Sequence, residues 1–272
     1  MSLTDLHVHS NFSDSSRTVE EVLKIASDKG IKNLSIVDHD TVETIDYIKT
    51  IDNLGINIIP GIEISAYDFK RNRKVHILGY GYNENPINIK NLCKDVLKRR
   101  HENSLRQIEE INKLGYKIDL DKINHSINSD RTIYKQHIMD YITDDDFNSE
   151  AYQTLYKKLF KNGGVAHFDI KYVDAYDAVE AINLDGGIPV LAHPGETDSF
   201  EIAEDLSKNG LKGIEVYHIS HNKEHEDRAL ELVKKYNLII TGGSDEHGNY
   251  GKKSEFGVKT SLLNLQDFNI LA

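Results

Sequence analysis

Short apolar runs alternate with amphipathic helical patterns through most of this 272-residue chain, and this rhythm limits the folds open to it. Runs this short and continuously apolar are typical of strands buried on both faces of a sheet. The predicted strands are residues 5–8, 33–37, 56–59, 75–80, 188–192, 213–217 and 238–241, and the helical patterns are residues 19–29, 42–54, 175–184, 202–208 and 223–236. Strands that alternate with helices favour a parallel sheet, and the number of units predicts a closed or nearly closed barrel.

The alternation stops between about residues 88 and 172, where helical patterns dominate. We therefore predict a helical cap insertion at residues 88–172, within a barrel domain made of residues 1–87 and 173–272. The first helix of the insertion carries an apolar stripe that is interrupted by Lys98-Arg99-Arg100-His101-Glu102-Asn103-Ser104. These polar residues either face inward over the barrel or cover a turn that overhangs solvent, and the pattern alone leaves both options open.

Composition excludes several classes of protein. The formal net charge of -11 argues against binding to duplex nucleic acid, whose phosphates would be repelled. Cys93 is the single cysteine, so no intrachain disulfide can form. We find neither an apolar run long enough to span a membrane nor a secretory leader pattern, and the expected location is the cytoplasm.

A His-x-His pair ends the first predicted strand, where His7 and His9 lie two positions apart and therefore share one face. Further imidazoles and carboxylates follow other predicted strands, at positions that converge on one face of a parallel barrel. The nine candidate metal ligands are His7, His9, Asp14, His39, Glu63, His76, His193, Asp245 and His247. Imidazole and carboxylate suit manganese, iron or zinc, and nine donors predict two or three divalent cations.

These same segments resemble the successive motifs of a known family. The motifs are Asp5-Leu6-His7-Val8-His9-Ser10 with Asp14, Val37-Asp38-His39-Asp40, Gly61-Ile62-Glu63-Ile64-Ser65, Val75-His76-Ile77-Leu78-Gly79-Tyr80, Ala192-His193-Pro194-Gly195 and Gly243-Ser244-Asp245-Glu246-His247-Gly248. In order and in residue type they are similar to those of the PHP (polymerase and histidinol phosphatase) phosphoesterases. The resemblance runs from residue 4 to about residue 248.

The resemblance implies an α/β fold, a distorted (β/α)7 TIM-like barrel, with a polynuclear metal site. In that scheme the first cation is held by His7, His9, Glu63 and Asp245, the second by Glu63, His76 and His193, and the third by Asp14, His39 and His247. The implied reaction is hydrolysis of a phosphate ester by a hydroxide that bridges two cations. Asp38 and Asp40 flank His39, and we expect one of them either to orient its ring or to cap the following helix.

The implied substrate is a phosphorylated nucleotide. Asp14 and the insertion after His76 resemble the branch of the family that acts on nucleoside 3',5'-bisphosphates, AMP-like molecules or short 5'-phosphorylated single-stranded RNA. Cationic side chains of the insertion are expected to clamp a phosphate away from the metals. The candidates are Lys98, Arg99, Arg100, His101, Arg131 and Lys171. His221 is a candidate proton donor to the leaving oxygen, with a plain polar loop residue as the alternative.

Three other functions remain open at this point. A histidinol-phosphate phosphatase would share the fold but would leave the second-phosphate clamp without a ligand. An amidohydrolase would share the His-x-His pair and the late aspartate, but Asp14, His39 and His247 supply a third metal position that its reaction does not require. A catalytically silent PHP module would have no need for the complete ligand set.

Overall fold

The computed structural model of the chain describes residues 3–127 and 131–257. The strands are β1 (Leu3–Val8), β2 (Ile31–Ile36), β3 (Asn57–Ile58), β4 (Gly61–Asp68), β5 (Arg73–Tyr80), β6 (Val173–Asp174), β7 (Ile188–Leu191), β8 (Gly213–His218) and β9 (Ile239–Gly243). The helices are α1 (Val19–Asp28), α2 (Glu43–Ile48), α3 (Ile87–Lys113), α4 (Leu120–Ile127), α5 (Lys135–Ile142), α6 (Glu150–Phe160), α7 (Ala175–Leu184), α8 (Ile202–Ser207) and α9 (Lys223–Tyr236), with a short 3₁₀ helix at Gly248–Tyr250.

The strands form two sheets, one in the order β1-β2-β3 and one in the order β6-β4-β5-β7-β8-β9. Most neighbours are parallel, but β5 runs antiparallel to both β4 and β7. The expectation of a parallel sheet is therefore wrong at β5. The connection from β4 to β5 is a short turn in which Asn72 adopts a φ of 54°, and a turn this short can only return the chain antiparallel.

Strand β4 is absent from the predicted strands, although it is among the longest that the structure describes. Its sequence places Glu63 and Ser65 inside an otherwise apolar stretch, and both side chains are buried. The sequence pattern does not predict this strand, because a continuous apolar run is the sign of a buried strand and these two polar residues interrupt the run. The structure shows that the polar side chains of β4 face the functional site described below.

The two sheets are joined at two places. Val8 pairs with Glu246 in a parallel bridge, and His39 pairs with Glu63 in another. Strand β9 passes so close to β1 that a Cβ atom on Gly243 would lie 2.2 Å from the Cβ atom of His7. Glycine at this position lets the two backbones approach. The ends of strands from both sheets are therefore brought to one place.

Local sequence signals agree with several helix boundaries. The Thr18 side chain accepts a hydrogen bond from the Glu21 amide, and the Glu21 side chain accepts one from the Thr18 amide, which together form a capping box at the start of α1. Helices α7 and α9 begin and end at the predicted residues. Helix α2 is shorter than predicted because it ends at Ile48.

Between β5 and β6 the described chain forms the helices α3 to α6. Ile89 and Cys93 at the start of α3 belong to the apolar core of the larger sheet. Ile108 and Ile111 near its end belong to a separate apolar cluster made by residues of the inserted segment. Helix α3 thus connects two cores. No helix within the described residues is long and apolar enough to cross a membrane.

Candidate metal centre

The nine predicted ligands lie together at the strand ends. Strand β1 carries His7 and leads into His9, and both side chains are fully buried. Glu63 on β4 is 1% exposed and lies between them and the remaining imidazoles. The other predicted ligands are Asp14 and His39 in loops after β1 and β2, His76 on β5, His193 after β7, and Asp245 and His247 after β9. The prediction that these side chains converge is thereby matched by the geometry.

Glu63 is the centre of this arrangement. Its Oε2 atom lies 3.3 Å from His7 Nε2 and 3.2 Å from His9 Nε2. Its Oε1 atom lies 2.7 Å from His76 Nδ1 and 2.8 Å from His193 Nε2. His39 Nδ1 also lies 3.4 Å from Oε2. The two carboxylate oxygens therefore face different sets of imidazole nitrogens, an arrangement that lets one carboxylate bridge two cations.

Asp245 completes the first of these groups. Its Oδ1 atom lies 3.3 Å from both His7 Nε2 and His9 Nε2. The backbone is strained here, because Asp245 has a φ of 52°, and the amide of Asp245 donates to the His7 carbonyl over 2.8 Å. His193, on the other side of the site, has a φ of 20°. Strained backbone of this kind is concentrated at functional sites.

A further donor group surrounds Asp14. Its Oδ1 atom lies 3.3 Å from His247 Nε2, and its Oδ2 atom lies 3.9 Å from His39 Nε2. His9 stacks on His247 with ring centroids 4.1 Å apart, so this group touches the first one. Donor atoms of His9, Asp14, His39 and His247 all lie within 4.8 Å of one another.

The carboxylates of Glu63 and Asp245 are in the ionised form that binds a cation. Burial alone would raise the pKa of Glu63, but His39, His76 and His7 hold it well below its ordinary value. Burial is likewise outweighed at Asp245, where His247 and His7 lower the pKa. Both carboxylates are therefore ionised at neutral pH and can act as metal ligands.

Several buried donor atoms lie close to oppositely charged side chains but form no hydrogen bond with a described residue. Both ring nitrogens of His9, Oδ1 of Asp14 and Nδ1 of His39 are buried without a hydrogen bond to any described residue. A buried polar atom without a partner costs about 1–3 kcal/mol, and such atoms rarely cluster without a reason. Divalent cations would engage the carboxylate oxygen and one lone pair on each of these rings, so the residues present fit a polynuclear metal site.

Asp38 and Asp40 hold backbone and loop segments, and neither forms a hydrogen bond with the His39 ring. Asp38 accepts hydrogen bonds from the Ser10 amide (2.8 Å) and from the Ser13 hydroxyl (2.6 Å), and so it holds the loop that carries Asp14. Asp40 accepts one from the Ser65 amide over 2.8 Å. Helix α2 has no side-chain cap. The expectation that one of these aspartates orients His39 or caps the helix is wrong.

His221 lies behind the site. Its Nδ1 donates to the Val216 carbonyl over 2.9 Å, and its Nε2 accepts from the Gly195 amide over 3.0 Å. Burial lowers its pKa to about 4, so the ring is neutral at pH 7. With both nitrogens engaged, His221 supports the loop that carries His193. This geometry does not suit the proton donor expected from the sequence.

The six predicted phosphate-binding residues separate in the structure. Arg100 turns inward, where its Nη2 donates to Asp40 Oδ2 over 2.7 Å and to Ser65 Oγ over 2.8 Å. Arg131 donates to the Asn11 carbonyl over 2.8 Å and lies over the Phe12 ring. Thus the inward alternative for the polar stretch of α3 holds at Arg100.

The other four candidates face elsewhere. Lys98 is 74% exposed at its side chain, and together with His101 and Arg131 it borders a cavity of about 910 Å³ between α2 and α3. Arg99 and Lys171 border a different cavity of about 470 Å³. Within the described part of the chain, none of the nine predicted ligands lines either cavity.

A cationic cavity, defined here as the space of about 530 Å³ that borders Asp14, His39 and His76, was missed by the sequence reasoning. Its cationic side chains are Lys74, Arg100, Lys135 and Lys161. Lys74 is paired with Asp169, whereas Lys135 forms no hydrogen bond or ion pair with a described residue. Burial lowers the pKa of Lys135 to about 8.

An α/β scaffold with buried imidazoles and carboxylates grouped around a shared glutamate, beside a cationic cavity, defines a metal-dependent hydrolase for anionic substrates. Residues 5–182 match the model of the PHP domain, and the chain belongs to the PHP family. It is a metal-dependent phosphoesterase, as the motifs predicted.

Characterised relatives cover nearly the whole chain. A phosphoribosyl 1,2-cyclic phosphate 1,2-diphosphodiesterase from Eggerthella lenta is 44% identical over 258 residues, which are 94% of this chain and 98% of the relative. A 3',5'-nucleoside bisphosphate phosphatase from Chromobacterium violaceum is 25% identical, over 91% of this chain and 88% of the relative. A 5'-3' exoribonuclease from Escherichia coli is 24% identical, over 89% and 84%.

Solved structures show the same fold. A candidate metal-dependent phosphoesterase from Bifidobacterium adolescentis superposes with a TM-score of 0.83 at 24% identity, covering 94% of this chain and 91% of that one. A protein from Chromobacterium violaceum described as an amidohydrolase, with bound sulfate and no metal, gives a TM-score of 0.79 at 24% identity, covering 90% and 88%. These likenesses establish a fold shared with PHP-like phosphoesterases.

Proposed function

We propose that this phosphoesterase hydrolyses a phosphate ester on a phosphorylated ribose, with phosphoribosyl 1,2-cyclic phosphate as the first candidate substrate. The observation that carries the proposal is Glu63, shared between two pairs of imidazole nitrogens beside the cationic cavity. The relative named for that substrate, 44% identical over almost the full length of both chains, supports the choice. One phosphate would react at the metals and a second would occupy the cavity.

The proposed cofactors are two or three divalent cations, which manganese, iron or zinc could provide. We assign His7, His9, Glu63 and Asp245 to the first, Glu63, His76 and His193 to the second, and Asp14, His39 and His247 to the third. Bound there, the cations would neutralise charge on the reacting phosphoryl group and activate water near neutral pH.

The candidate ligands differ in how far their side chains are exposed to solvent. His7 and His9 are fully buried, while His39 and His76 are 12% and 22% exposed at their side chains and line the entrance. A phosphate ester would therefore arrive from the side of His39 and His76. The hydroxyl of Tyr134 donates to the His39 carbonyl and so holds this wall in place.

Arg100 is the one predicted phosphate-binding residue that we retain in direct contact with the substrate, since it lines the cationic cavity. Lys135 is added to it, because its half-buried ammonium lines the same cavity, makes no hydrogen bond or ion pair with a described residue and is available to bind an anion. Arg131 instead holds the loop of Asp14 through Asn11 and Phe12. We propose no direct substrate contact for Lys98, Arg99, His101 or Lys171, and no proton transfer by His221.

A nucleoside 3',5'-bisphosphate is the second candidate. A smaller cavity of about 260 Å³ adjoins His39 and His247 and is walled by Phe147, Tyr152 and Tyr156. Rings of this kind present faces on which a nucleobase can stack. The bisphosphate phosphatase and exoribonuclease relatives support this option and extend it to short single-stranded RNA.

Two features of the architecture belong to the same proposal. The two sheets would form one distorted (β/α)7 barrel, which the Val8–Glu246 and His39–Glu63 bridges support. Residues 88–172 would act as its cap, since their helices contribute Arg100, Lys135 and Lys161 to the cationic cavity. Residues 258–272 of the predicted barrel domain lie outside the described residues. A cytoplasmic location stays a prediction.

The test is a substrate comparison with purified protein supplemented with manganese. Phosphoribosyl 1,2-cyclic phosphate, adenosine 3',5'-bisphosphate, AMP, short 5'-phosphorylated RNA and histidinol phosphate would be supplied separately, and all products measured, including ring-opened monoesters, nucleotides and inorganic phosphate. We expect the highest kcat/KM for a ribose derivative with two phosphate groups. Equal turnover of histidinol phosphate would contradict the substrate assignment, and amide hydrolysis without phosphate release would replace it with an amidohydrolase.

A further inference from the structure

Strand β8 ends at the metal centre with two fully buried side chains, Glu215 and His218, that are absent from the predicted ligands. Residues three apart on a regular strand point to opposite faces. The register between β8 and β9 shifts between Glu215 and Tyr217, which is the signature of a bulge. Because a bulge adds one residue to one strand, both side chains can face the same side.

Glu215 touches two predicted ligands that belong to different donor groups. Its Oε1 atom lies 3.0 Å from His7 Nδ1, and its Oε2 atom accepts a hydrogen bond from the His193 amide over 2.8 Å. One carboxylate therefore links the ring of a first-cation ligand to the backbone of a second-cation ligand.

This contact determines which nitrogen of His7 faces the metals. A carboxylate only accepts hydrogen bonds, so the proton of His7 lies on Nδ1. The lone pair is then on Nε2, which lies 3.3 Å from Glu63 Oε2 and 3.3 Å from Asp245 Oδ1. That is the nitrogen that a cation between these groups requires.

His218 has the opposite tautomer. The Ser220 amide donates to His218 Nδ1 over 3.1 Å, so the ring proton lies on Nε2. That nitrogen is buried and lies 3.3 Å from Asp245 Oδ2, while Asp245 Oδ1 faces His7 and His9. Although His218 is near enough to His7 and Asp245 to share a cation, it offers them an N–H group and no lone pair.

We propose that Glu215 and His218 are a positioning pair, which orients the ligands of the first two cations without binding either cation. Glu215 sets the tautomer of His7 and fixes the loop of His193, and the Nε2–H side of His218 lies against one oxygen of Asp245, so that the other oxygen faces the metals. This inference rests on the metal centre of the proposed function. Partners of this kind typically affect metal affinity about 10–100-fold.

Glu215→Gln tests the first half of the pair. The amide has one acceptor, which the His193 amide occupies, and its NH2 group would then donate to His7 Nδ1. His7 would carry its proton on Nε2 and lose its metal-binding lone pair. We expect an affinity for manganese about 10–100-fold lower in chelator competition, with an unchanged circular dichroism spectrum. Tyr217→Phe, a half-buried neighbour on the same strand, is the matched control and should keep wild-type affinity.

His218 provides a second and independent test. In His218→Gln the amide N–H can replace the Nε2–H group, whereas His218→Leu removes the donor. We expect the leucine variant to lose affinity for manganese and the glutamine variant to recover most of it. Equal losses in the two variants, or wild-type affinity in a folded Glu215→Gln protein, would overturn the proposal.

The measurement separates this inference from the function on which it rests. Wild-type protein that retains no manganese, iron or zinc after dialysis would refute the metal centre itself. Wild-type protein that retains metal but hydrolyses none of these phosphate esters, whether to a ring-opened monoester, a nucleotide or phosphate, would refute the substrate proposal. Because metal affinity is the readout, the positioning pair would still stand in the second case.

Discussion

The metal centre and the cationic cavity beside it are built in different ways. The ligands of the centre lie on strand ends, so their positions follow from the strand register and from motifs of a few residues. The cationic cavity is lined by side chains from β5, α3, α5 and residues near α6, which meet only through tertiary packing. The candidate ligands of the metal centre could therefore be predicted from the sequence, whereas most residues of the cationic cavity could not. Under the proposed function, the reaction would take place at the strand ends and the helices would select the substrate.

Removing a ligand should have the largest effect. His9 contributes to two of the donor groups and is fully buried, so His9→Ala should lose bound metal and lower kcat/KM on the order of 10³-fold. The measurement pairs elemental analysis of the dialysed protein with phosphate release. His167→Ala, a histidine remote from the predicted ligands in sequence, is the comparison variant. Retention of full metal content by His9→Ala would contradict the ligand assignment.

A substitution in the cationic cavity should change the preference between substrates without impairing the metal centre. In Lys135→Met a charge-assisted contact to the second phosphate is lost, and we expect KM for a two-phosphate substrate to rise about 10–100-fold. KM for a substrate with one phosphate, and the metal content, should stay near wild type. Lys171→Met is the matched control, because Lys171 borders another cavity. If Lys135→Met weakened both substrates equally, the division between the two regions would fail.

Arg100 should matter for stability as well as for binding. Its partner Asp40 has a fully buried side chain, and removing one member of a buried ion pair costs about 3–5 kcal/mol. Arg100→Met should therefore lower the free energy of unfolding, measured with urea, by about 3 kcal/mol. Lys98→Met, on the same helix but 74% exposed at its side chain, should change it by less than about 0.5 kcal/mol. Equal stability of the two variants would show that the Asp40 contact is unimportant.

The smallest expected effect is a pH dependence of substrate binding. Burial lowers the pKa of Lys135 to about 8, so its ammonium is present below that pH and lost above it. KM for a two-phosphate substrate should therefore rise by a few-fold between pH 7 and pH 9, on the order expected for losing one charged contact. Lys135→Arg keeps its charge throughout this range and should flatten the profile. The same rise in the arginine variant would assign the pH dependence to another group.

Features that depend on residues close together in the sequence could be predicted, whereas features that depend on contacts between distant residues could not. His7 and His9 were identifiable because alternate residues of a strand share a face, and the Thr18 capping box because its partners are three residues apart. Strand β4 was missed because Glu63 and Ser65 interrupt its apolar pattern, although Glu63 itself was found through the family motifs. Lys135 and His218 carry no local signal, since burial and hydrogen bonding to distant residues give them their significance.

The closure of β9 against β1 also has a consequence for the order of events during synthesis. The Asp5 carboxylate accepts a hydrogen bond from the Ser244 amide, 239 positions later in the chain, directly beside Asp245. A nascent chain that already displays His7, His9 and Glu63 would thus lack Asp245, the second carboxylate that faces both imidazoles, until residue 245 has been synthesised. Contacts so distant in sequence form slowly, because a long loop must be closed first. Completion of the first metal-binding group would then have to wait until β9 has emerged from the ribosome and paired with β1.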